Sequence, residues 1–220
     1  MENIDIVIAV IAATGGLGLA AMSLVDAFKA LPGGGVSRIG FHHILDVLTL
    51  FDQVLERAVG AKWRTVILSH WINGRPRTDQ IGAIRSLLRL GLNPDTAVQL
   101  APIGNVDPKA LSDAAGKLVK GAAMTQEDLN LIGRVEAAVE VRLDAAFDLA
   151  EQAYRNLSRV LAGVIAVVLA VVASALIENS PGWAAGALIG LLAVPIAPIA
   201  KDLVSALTAA ASAVKSTRKA

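Results

Sequence analysis

The chain has 220 residues, 55% of them hydrophobic and 18% charged, with a formal net charge of +1. Its mean hydropathy of +0.59 is too high for an ordinary soluble domain, so the length divides best between a folded domain and membrane segments. The lack of cysteine excludes disulfide scaffolds, thiolate metal sites and cysteine nucleophiles. The near-neutral charge excludes a globally polybasic nucleic-acid binder.

Three stretches without a charged residue are long enough to cross a bilayer: residues 6–25, 160–177 and 179–200. Helices rise about 1.5 Å per residue, so these stretches match a hydrocarbon core of about 30 Å. They predict an all-α, three-span membrane protein with a helical cytoplasmic domain between spans 1 and 2. The expected segments are an N-terminal anchor (1–29), a cytoplasmic helical domain (30–158), a transmembrane hairpin (159–202) and a cytoplasmic C-terminal helix with a basic tail (203–220).

The flanks of these spans predict their orientation. Residues 1–5 lack the positive region of a signal peptide, so the first span is expected to remain as an anchor. Basic residues follow the first span, precede the second span and follow the third. They are Lys29 and Arg38, then Arg155 and Arg159, then Lys201, Lys215, Arg218 and Lys219. The positive-inside rule then places the N-terminus outside and the C-terminus in the cytoplasm, as in a protein of the bacterial inner membrane.

The first span also contains Gly16-x-Gly18-x-x-Ala21, which fits a dinucleotide-binding fingerprint. That motif needs a preceding strand and a βαβ unit, whereas the chain continues into helical patterns, so a membrane helix is the favoured interpretation. Ala12, Gly16 and Ala20 recur every four residues. They form a small-residue face, which lets another helix approach closely.

Helical patterns continue between spans 1 and 2. Residues 41–59 place apolar side chains at helical spacing and are followed by Gly60, which predicts one amphipathic helix. Thr78 is expected to cap a second helix that runs through Leu90. The stretch 62–74 is open between a helix and a short strand.

Two proline-led helices and one long helix are predicted next. Asn93 and Asp107 each precede a proline, an order typical of a capping residue before the first helical position. The second of these helices is expected to stop at Gly121. Residues 125–128 (TQED) have the pattern of a capping box, and no proline follows them up to Ile177. The long helix is therefore expected to run from the cytoplasm into the second span.

The histidines offer little chemistry. His42 and Asp46 share a helix face, but the sequence shows no third or fourth ligand beside them, so no metal site is expected. Ser69 and His70 lack the context of a nucleophile elbow. The sequence therefore predicts no catalytic residue, no cofactor and no enzymatic activity.

Positive charge is concentrated in one segment with two tryptophans, Trp63 and Trp71. The basic patch consists of Lys62, Arg64, Arg75, Arg77, Arg85 and Arg89. Tryptophan beside Lys and Arg suits the cytoplasmic headgroup layer, so the patch is predicted to bind membrane lipids or a partner. A nucleotide or nucleic-acid partner is the other interpretation, but no recognition motif accompanies the patch.

Negative charge follows on the long helix as an acidic stripe: Glu136, Glu140, Asp144 and Asp148 recur every four residues. Like charges at this spacing weaken an isolated helix by a few tenths of a kcal/mol each. Three interpretations are open: a solvated face, pairing with the basic segment within one chain or across subunits, or a ring that lines a cytoplasmic vestibule. Pairing across subunits predicts weaker assembly after charge reversal at Glu140 and Asp144, with rescue by Arg85→Glu.

The third span carries an assembly motif. Gly186 and Gly190 form a GxxxG pattern, which is typical of close helix crossings in membranes. Pro195 and Pro198 lie in its inner half and are expected to kink the helix or to free carbonyl groups there. Residues 203–214 are too short to span and are expected to continue the helix or to lie along the interface.

One N-terminal span, a helical segment at 30–158 and two helices prolonged into the cytoplasm form a layout that resembles the TolQ/ExbB branch of the MotA-type motor-channel families. LAVPIAPIAKD at residues 192–202 is similar to the third span of those families. The resemblance is one of topology, and it implies a helical membrane assembly that conducts protons or ions. Those families carry a threonine-bearing second span, whereas Ser174 is the one hydroxyl at 160–177, so no functional residue is transferred.

These features favour a non-enzymatic integral membrane subunit that oligomerises or docks a partner through its cytoplasmic helical domain. The alternatives are a channel or pore-forming protein whose third span lines the pore, and a nucleotide-binding enzyme built on the Gly16 motif. The scarcity of polar groups in the spans favours the first, since an ion path needs intramembrane polar groups. Expected partners are membrane lipids and a second copy or another membrane protein, and no nucleic acid is expected.

Overall fold

The computed structural model describes residues 2–29, 35–177 and 182–217. Within these ranges the chain is all-helical, as predicted, and contains no strand. The helices are α1 (Glu2–Lys29), α2 (Phe41–Leu48), α3 (Asp52–Val59), α4 (Trp63–Ile72), α5 (Arg77–Gly91), α6 (Pro94–Gly104), α7 (Pro108–Lys120), α8 (Gln126–Leu176) and α9 (Trp183–Thr217). Two 3-10 turns, Gly35–Arg38 and Thr49–Phe51, lie between them.

Several predicted features fall outside this description. They are residues 30–34 of the predicted cytoplasmic domain, residues 178–181 of the predicted transmembrane hairpin, and the basic residues Arg218 and Lys219. The side chains of Lys29, Lys201 and Lys215 are likewise outside the described part. The orientation inferred from these flanks therefore stays a prediction.

Three helices are long and apolar enough to cross a membrane: Asp5–Phe28, the C-terminal part of Gln126–Leu176, and Trp183–Ala200. Each exposes large apolar side chains, with Val10 55%, Val164 56% and Leu188 63% exposed. A continuous apolar surface of this kind is typical of helices that face lipid. Within the described residues, the three predicted stretches therefore form helices that are long and apolar enough to span, the third of them from Trp183.

The chain divides into two compact units. The apolar unit comprises residues 1–36 and 155–220, and the central unit comprises Ser37–Tyr154. The predicted cytoplasmic domain, 30–158, is close to the central unit in its bounds. Residues of α8 belong to both units.

In the apolar unit, α1 lies against α9 through glycines. A Cβ added to Gly18 would lie 2.1 Å from the carbonyl oxygen of Ala193, and one added to Gly15 would lie 2.2 Å from the Cβ of Ala200. Such distances leave no room for a side chain, so glycine is required for this approach. Small residues serve this role in membranes because tight van der Waals packing drives helix association there.

The predicted small-residue face of α1 is not the face that contacts α9. Ala12, Gly16 and Ala20 are exposed, and a Cβ added to Gly16 would meet nothing within 4 Å. At about 100° per residue, this face lies on the side of the helix opposite Gly15 and Gly18. Sequence periodicity identified a small-residue face, but not the one that α9 uses.

The GxxxG pattern of α9 lies against α8. A Cβ on Gly190 would come within 2.5 Å of the Cα of Val167, and one on Gly186 within 2.9 Å of the carbonyl oxygen of Ala170. The motif therefore mediates a close crossing within the chain. The helix α9 continues through Pro195 and Pro198.

The helices of the central unit enclose one apolar core. Its largest fully buried side chains include Ile44, Phe51, Trp63, Leu143 and Phe147. They come from α2, the second 3-10 turn, α4 and α8, so helices distant in sequence share the same interior. Burial of this apolar surface is the main stabilising contribution to such a unit.

Several predicted helix ends are confirmed. The Asn93 side chain accepts hydrogen bonds from the backbone N–H groups of Asp95 and Thr96 at 2.9 and 3.0 Å. Asp107 accepts from the N–H of Ala110 at 2.8 Å. The helix α7 ends at Gly121, which has a φ of 62°. These caps satisfy N–H groups that the first turn leaves without a helical partner.

Two other predictions about the helices are wrong. The segment 41–59 is broken by the 3-10 turn Thr49–Phe51, where the Thr49 hydroxyl donates to the carbonyl of Asp46 at 2.7 Å and competes with regular helix. Thr78 does not cap α5, because the carbonyl of Pro76 already accepts the first helical N–H groups. The open stretch 62–74 is a helix, Trp63–Ile72.

The long helix α8 begins with the predicted capping box. Asp128 accepts from the backbone N–H and the hydroxyl of Thr125 at 2.7 and 2.8 Å, and Thr125 accepts from the N–H of Asp128 at 3.2 Å. The Lys117 ammonium lies 2.7 Å from the same carboxylate. The lysine, and then the Thr125 donors, lower the pKa of Asp128 from 3.8 to about 2.

We expect Asp128→Asn to destabilise the protein at neutral pH and to matter less in acid. Because the pKa of Asp128 is lowered on folding, its stabilisation is present above about pH 4 and is lost as the pH falls towards about 2. Unfolding followed by circular dichroism, for wild type and variant across this range, measures the difference. Asp113→Asn, at an exposed acid of α7, is the control. A difference that does not depend on pH would contradict the assignment.

We expect Gly18→Ala to lower the stability of the apolar unit by about 1–3 kcal/mol, because the new Cβ must displace backbone. Gly16→Ala is the matched control on the same helix, where a Cβ meets nothing within 4 Å, and it should be neutral or slightly stabilising. Melting temperatures of the two variants in detergent test this. Equal shifts would show that α1 does not pack through Gly18.

Candidate functional site

The acidic stripe of α8 and part of the basic patch meet along α5. We call this contact the arginine–carboxylate ladder. It consists of Arg77, Arg85, Arg89, Glu136, Glu140, Asp144 and Asp148. The N-terminal end of α5 meets the later acids and its C-terminal end meets the earlier ones, so the two helices run antiparallel.

Glu136 is the least exposed acid of the ladder, and it pairs with two arginines. Its carboxylate accepts from the Arg89 Nε at 2.9 Å and lies 3.5 Å from an Arg85 nitrogen. The Glu136 side chain is only 16% exposed, so its pairs are less screened by solvent than the others. The second guanidinium nitrogen of Arg85 reaches Glu140 at 3.0 Å.

Arg77 closes the other end of the ladder. Its Nε and Nη2 lie 3.0 and 2.7 Å from the carboxylate of Asp144, and Nη2 also donates to the Asp144 backbone carbonyl at 2.6 Å. Its Nη1 donates to Asp148. The hydrogen bond that Arg77 donates to Asp148, followed by the one that it donates to Asp144, raises the pKa of Arg77 above its ordinary value. Arg77 therefore ties the start of α5 to both the side chains and the backbone of α8.

The structure thus pairs the acidic stripe with the basic segment inside one chain. This pairing offsets the repulsion between carboxylates four residues apart on α8. It favours intrachain pairing over the vestibule and solvated-face interpretations. Charge reversal at Glu140 and Asp144 would consequently act first on the central unit itself.

The rest of the basic patch lies outside the ladder. Arg64 pairs with Asp52 at 2.9 Å and lies over the Trp63 ring at 4.5 Å, while the Trp63 indole donates to Asp52 at 2.7 Å. Lys62 and Arg75 are exposed, and the described residues provide neither with an ion pair. The six basic residues therefore do not form one continuous surface.

Of the two tryptophans of the patch, Trp63 is a core residue and Trp71 is partly buried against the core. Trp63 is 1% exposed. Trp71 lies 5.9 Å from the Phe147 ring, and its indole donates to the Ser37 carbonyl at 2.6 Å. The expectation of a place in the headgroup layer is therefore wrong for Trp63, whose ring lies in the interior of the central unit, and it stays a prediction for the partly buried Trp71.

The residues considered for catalysis or metal binding make local backbone contacts. The His42 Nδ1 lies 2.5 Å from the carbonyl of Ile39, and the Ser69 hydroxyl donates to the Val66 carbonyl at 2.7 Å. Burial, followed by the charge of Arg75, lowers the pKa of His70. No group of three or more His, Asp or Glu side chains in the described ranges is arranged to hold a metal ion.

A cavity that the sequence did not indicate lies in the central unit. It has a volume of about 400 Å³ and is bordered by Arg38, His42 and Arg64, with Phe41, Leu45 and Leu68 among its apolar lining. Sequence reasoning used Arg38 only for orientation and considered His42 only as a metal ligand. No local pattern connects residues that come from a 3-10 turn, α2 and α4.

Comparisons with family models, characterised proteins and solved structures find no match for this chain. The similarity of its layout to the TolQ/ExbB branch therefore stays an expectation. Functional conclusions depend on the geometry of the chain itself.

We expect Glu136→Gln to lower the free energy of unfolding by about 1–2 kcal/mol, because two arginines lose a partly buried partner. Asp148→Asn removes an acid of the same ladder whose side chain is 69% exposed, and should cost only a few tenths of a kcal/mol. Denaturant unfolding of the two variants provides the comparison. The ladder would have no role in stability if both variants matched wild type.

Proposed function

We propose that the chain is a non-enzymatic multi-pass membrane subunit that assembles with copies of itself or with a membrane partner protein. In this proposal the central unit is the docking element. The observation that supports it most is the division of the chain into two units. The apolar unit exposes large apolar side chains, as helices that face lipid do, and the central unit has a hydrophobic core of its own. A folded unit carried on membrane helices is suited to holding a partner at the membrane.

The central unit has the rigidity that docking requires. Its core is closed by residues from α2 to α8, and the arginine–carboxylate ladder ties α5 to α8. A binding surface built on packed helices keeps its shape better than one built on loops. The ladder therefore supports docking by a preformed surface.

The absence of enzymatic activity is part of the proposal. It is supported by the hydroxyl and imidazole groups that bond to nearby carbonyls, such as Ser69 to Val66 and Thr14 to Val10. Groups held in this way are not arranged as a nucleophile with a base.

We place the protein in the bacterial inner membrane, with the N-terminus outside and the central unit and C-terminus in the cytoplasm. Three candidate spans support this, because an odd number puts the termini on opposite sides. The basic flanks and the layout similar to the TolQ/ExbB branch support the same orientation.

A channel is the second candidate, and one observation favours it. Proline has no N–H, so Pro195 and Pro198 leave the carbonyls of Leu191 and Val194 without the usual helical donor. Carbonyls freed within an apolar helix are tolerated where they meet polar neighbours or line a water-filled cavity. In this alternative, α9 lines the path.

We expect native mass spectrometry of the detergent-purified protein to give a mass above that of one 22.7 kDa chain, as an integer multiple or a complex with a co-purified membrane protein. Gly16→Leu, on the exposed face of α1, should reduce the part of this assembly that the membrane helices contribute beside the central unit. Gly163→Leu is the control, since a Cβ at Gly163 also meets nothing within 4 Å.

A lone monomer, unchanged by either substitution, would contradict the docking proposal. Ion current through planar bilayers that depends on the reconstituted protein would favour the channel. The two measurements therefore separate the two candidates.

A further inference from the structure

The cavity bordered by Arg38, His42 and Arg64 combines two kinds of surface. Its lining combines the charged or polar side chains of Arg38, Arg64 and His42 with the apolar side chains of Phe41, Leu45 and Leu68. Its volume of about 400 Å³ lies within the range of about 300–1,000 Å³ that small-molecule sites occupy. Cations above an apolar lining suit a ligand with an anionic head and a hydrocarbon body.

Arg38 and Arg64 both have guanidinium N–H groups available to a ligand. Arg38 is exposed and forms no ion pair among the described residues. Arg64 engages Asp52 through Nη2 at 2.9 Å, which leaves other N–H groups of its five free to bind a ligand. Asp52 is also held by the Trp63 indole at 2.7 Å. The aspartate therefore positions Arg64 without using all its donors.

The protonation of His42 follows from its neighbour. The carbonyl of Ile39, 2.5 Å from Nδ1, can only accept a hydrogen bond, so Nδ1 carries the proton. Nε2 is then the ring nitrogen available to a ligand.

We propose that this cavity binds the phosphate headgroup of an anionic membrane lipid, with Arg38 and Arg64 on the phosphate and an acyl chain against Phe41 and Leu45. Arginine is suited to phosphate because its planar guanidinium can donate two parallel hydrogen bonds. A lipid fits better than free phosphate because phosphate alone would leave the apolar lining uncovered. Arg38 also follows the first candidate span closely in sequence, where basic residues meet anionic headgroups.

The inference goes beyond assembly, since a monomer and an oligomer alike could hold the lipid. Full-length protein in non-ionic detergent, stripped of native lipid, is titrated with short-chain phosphatidylglycerol. Matched-chain phosphatidylcholine and inorganic phosphate are titrated in parallel. Native mass spectrometry counts bound lipids and subunits separately in each spectrum, so failure of this inference is distinguishable from failure of the assembly proposal.

We expect wild type to retain phosphatidylglycerol in preference to phosphatidylcholine. Arg38→Gln should weaken this retention about tenfold, the effect of losing one charge-assisted contact. Arg38→Gln with Arg64→Gln should abolish it. Arg142→Gln, at an exposed arginine of α8 outside the cavity, should retain the lipid like wild type. Arg38 has no ion pair to lose, so its variant tests binding even if the Arg64 substitution disturbs folding.

Equal retention by wild type and both cavity variants would overturn the proposal. Equal retention of the two lipids would overturn it as well, since the headgroup charge would then not matter. Binding of inorganic phosphate with the same affinity as phosphatidylglycerol would identify a free anion as the ligand and would overturn the assignment to lipid.

Discussion

The register between α5 and α8, which must pair the carboxylates of α8 and bury apolar side chains of both helices at once, is the constraint on which this side of the central unit depends. Four carboxylates stand one turn apart, and the adjacent face of the same helix is buried in the core. A helix with this pattern needs cations beside its buried face. The helix α5 supplies them at 77, 85 and 89, and places Ile81 in the row between Arg77 and Arg85. Because Ile84 and Leu88 enter the core from the same helix, one antiparallel register satisfies both the charges and the apolar side chains.

The apolar unit follows a different constraint. Lipid is as apolar as the helix surfaces themselves, so association depends on how closely the backbones approach. Glycines at 15 and 18 let α1 reach α9, and glycines at 186 and 190 let α9 reach α8. The hydroxyls of Thr14 and Ser23 return to carbonyls of their own helix, which satisfies their hydrogen bonds without a partner helix. Close backbone approach at these glycines, and not the Thr14 and Ser23 hydroxyls, therefore brings these helices together.

The sequence predicts local features well, because their causes are local. The caps at Asn93 and Asp107, the start of α8 at Thr125 and the three long apolar helices all depend on neighbouring residues or on composition. The sequence predicts less well which of two similar helix faces contacts a neighbouring helix. Both sides of α1 carry small residues, so periodicity cannot tell which of them meets α9. The core position of Trp63, the partial burial of Trp71 and the cavity at Arg38 depend on helices that meet only after folding.

The two kinds of contact differ in how much sequence change they tolerate. Arg85 and Arg89 share one carboxylate, that of Glu136, so Glu136 keeps one cationic partner when either arginine is replaced. No other residue can replace Gly18 in this way, because backbone atoms occupy the space where any Cβ would lie. This part of the ladder is therefore expected to tolerate loss of one arginine better than the α1–α9 contact tolerates a side chain at Gly18. At the α1–α9 contact, in contrast, almost no single substitution of Gly18 would be tolerated. This contact would change only if residues of both helices changed together.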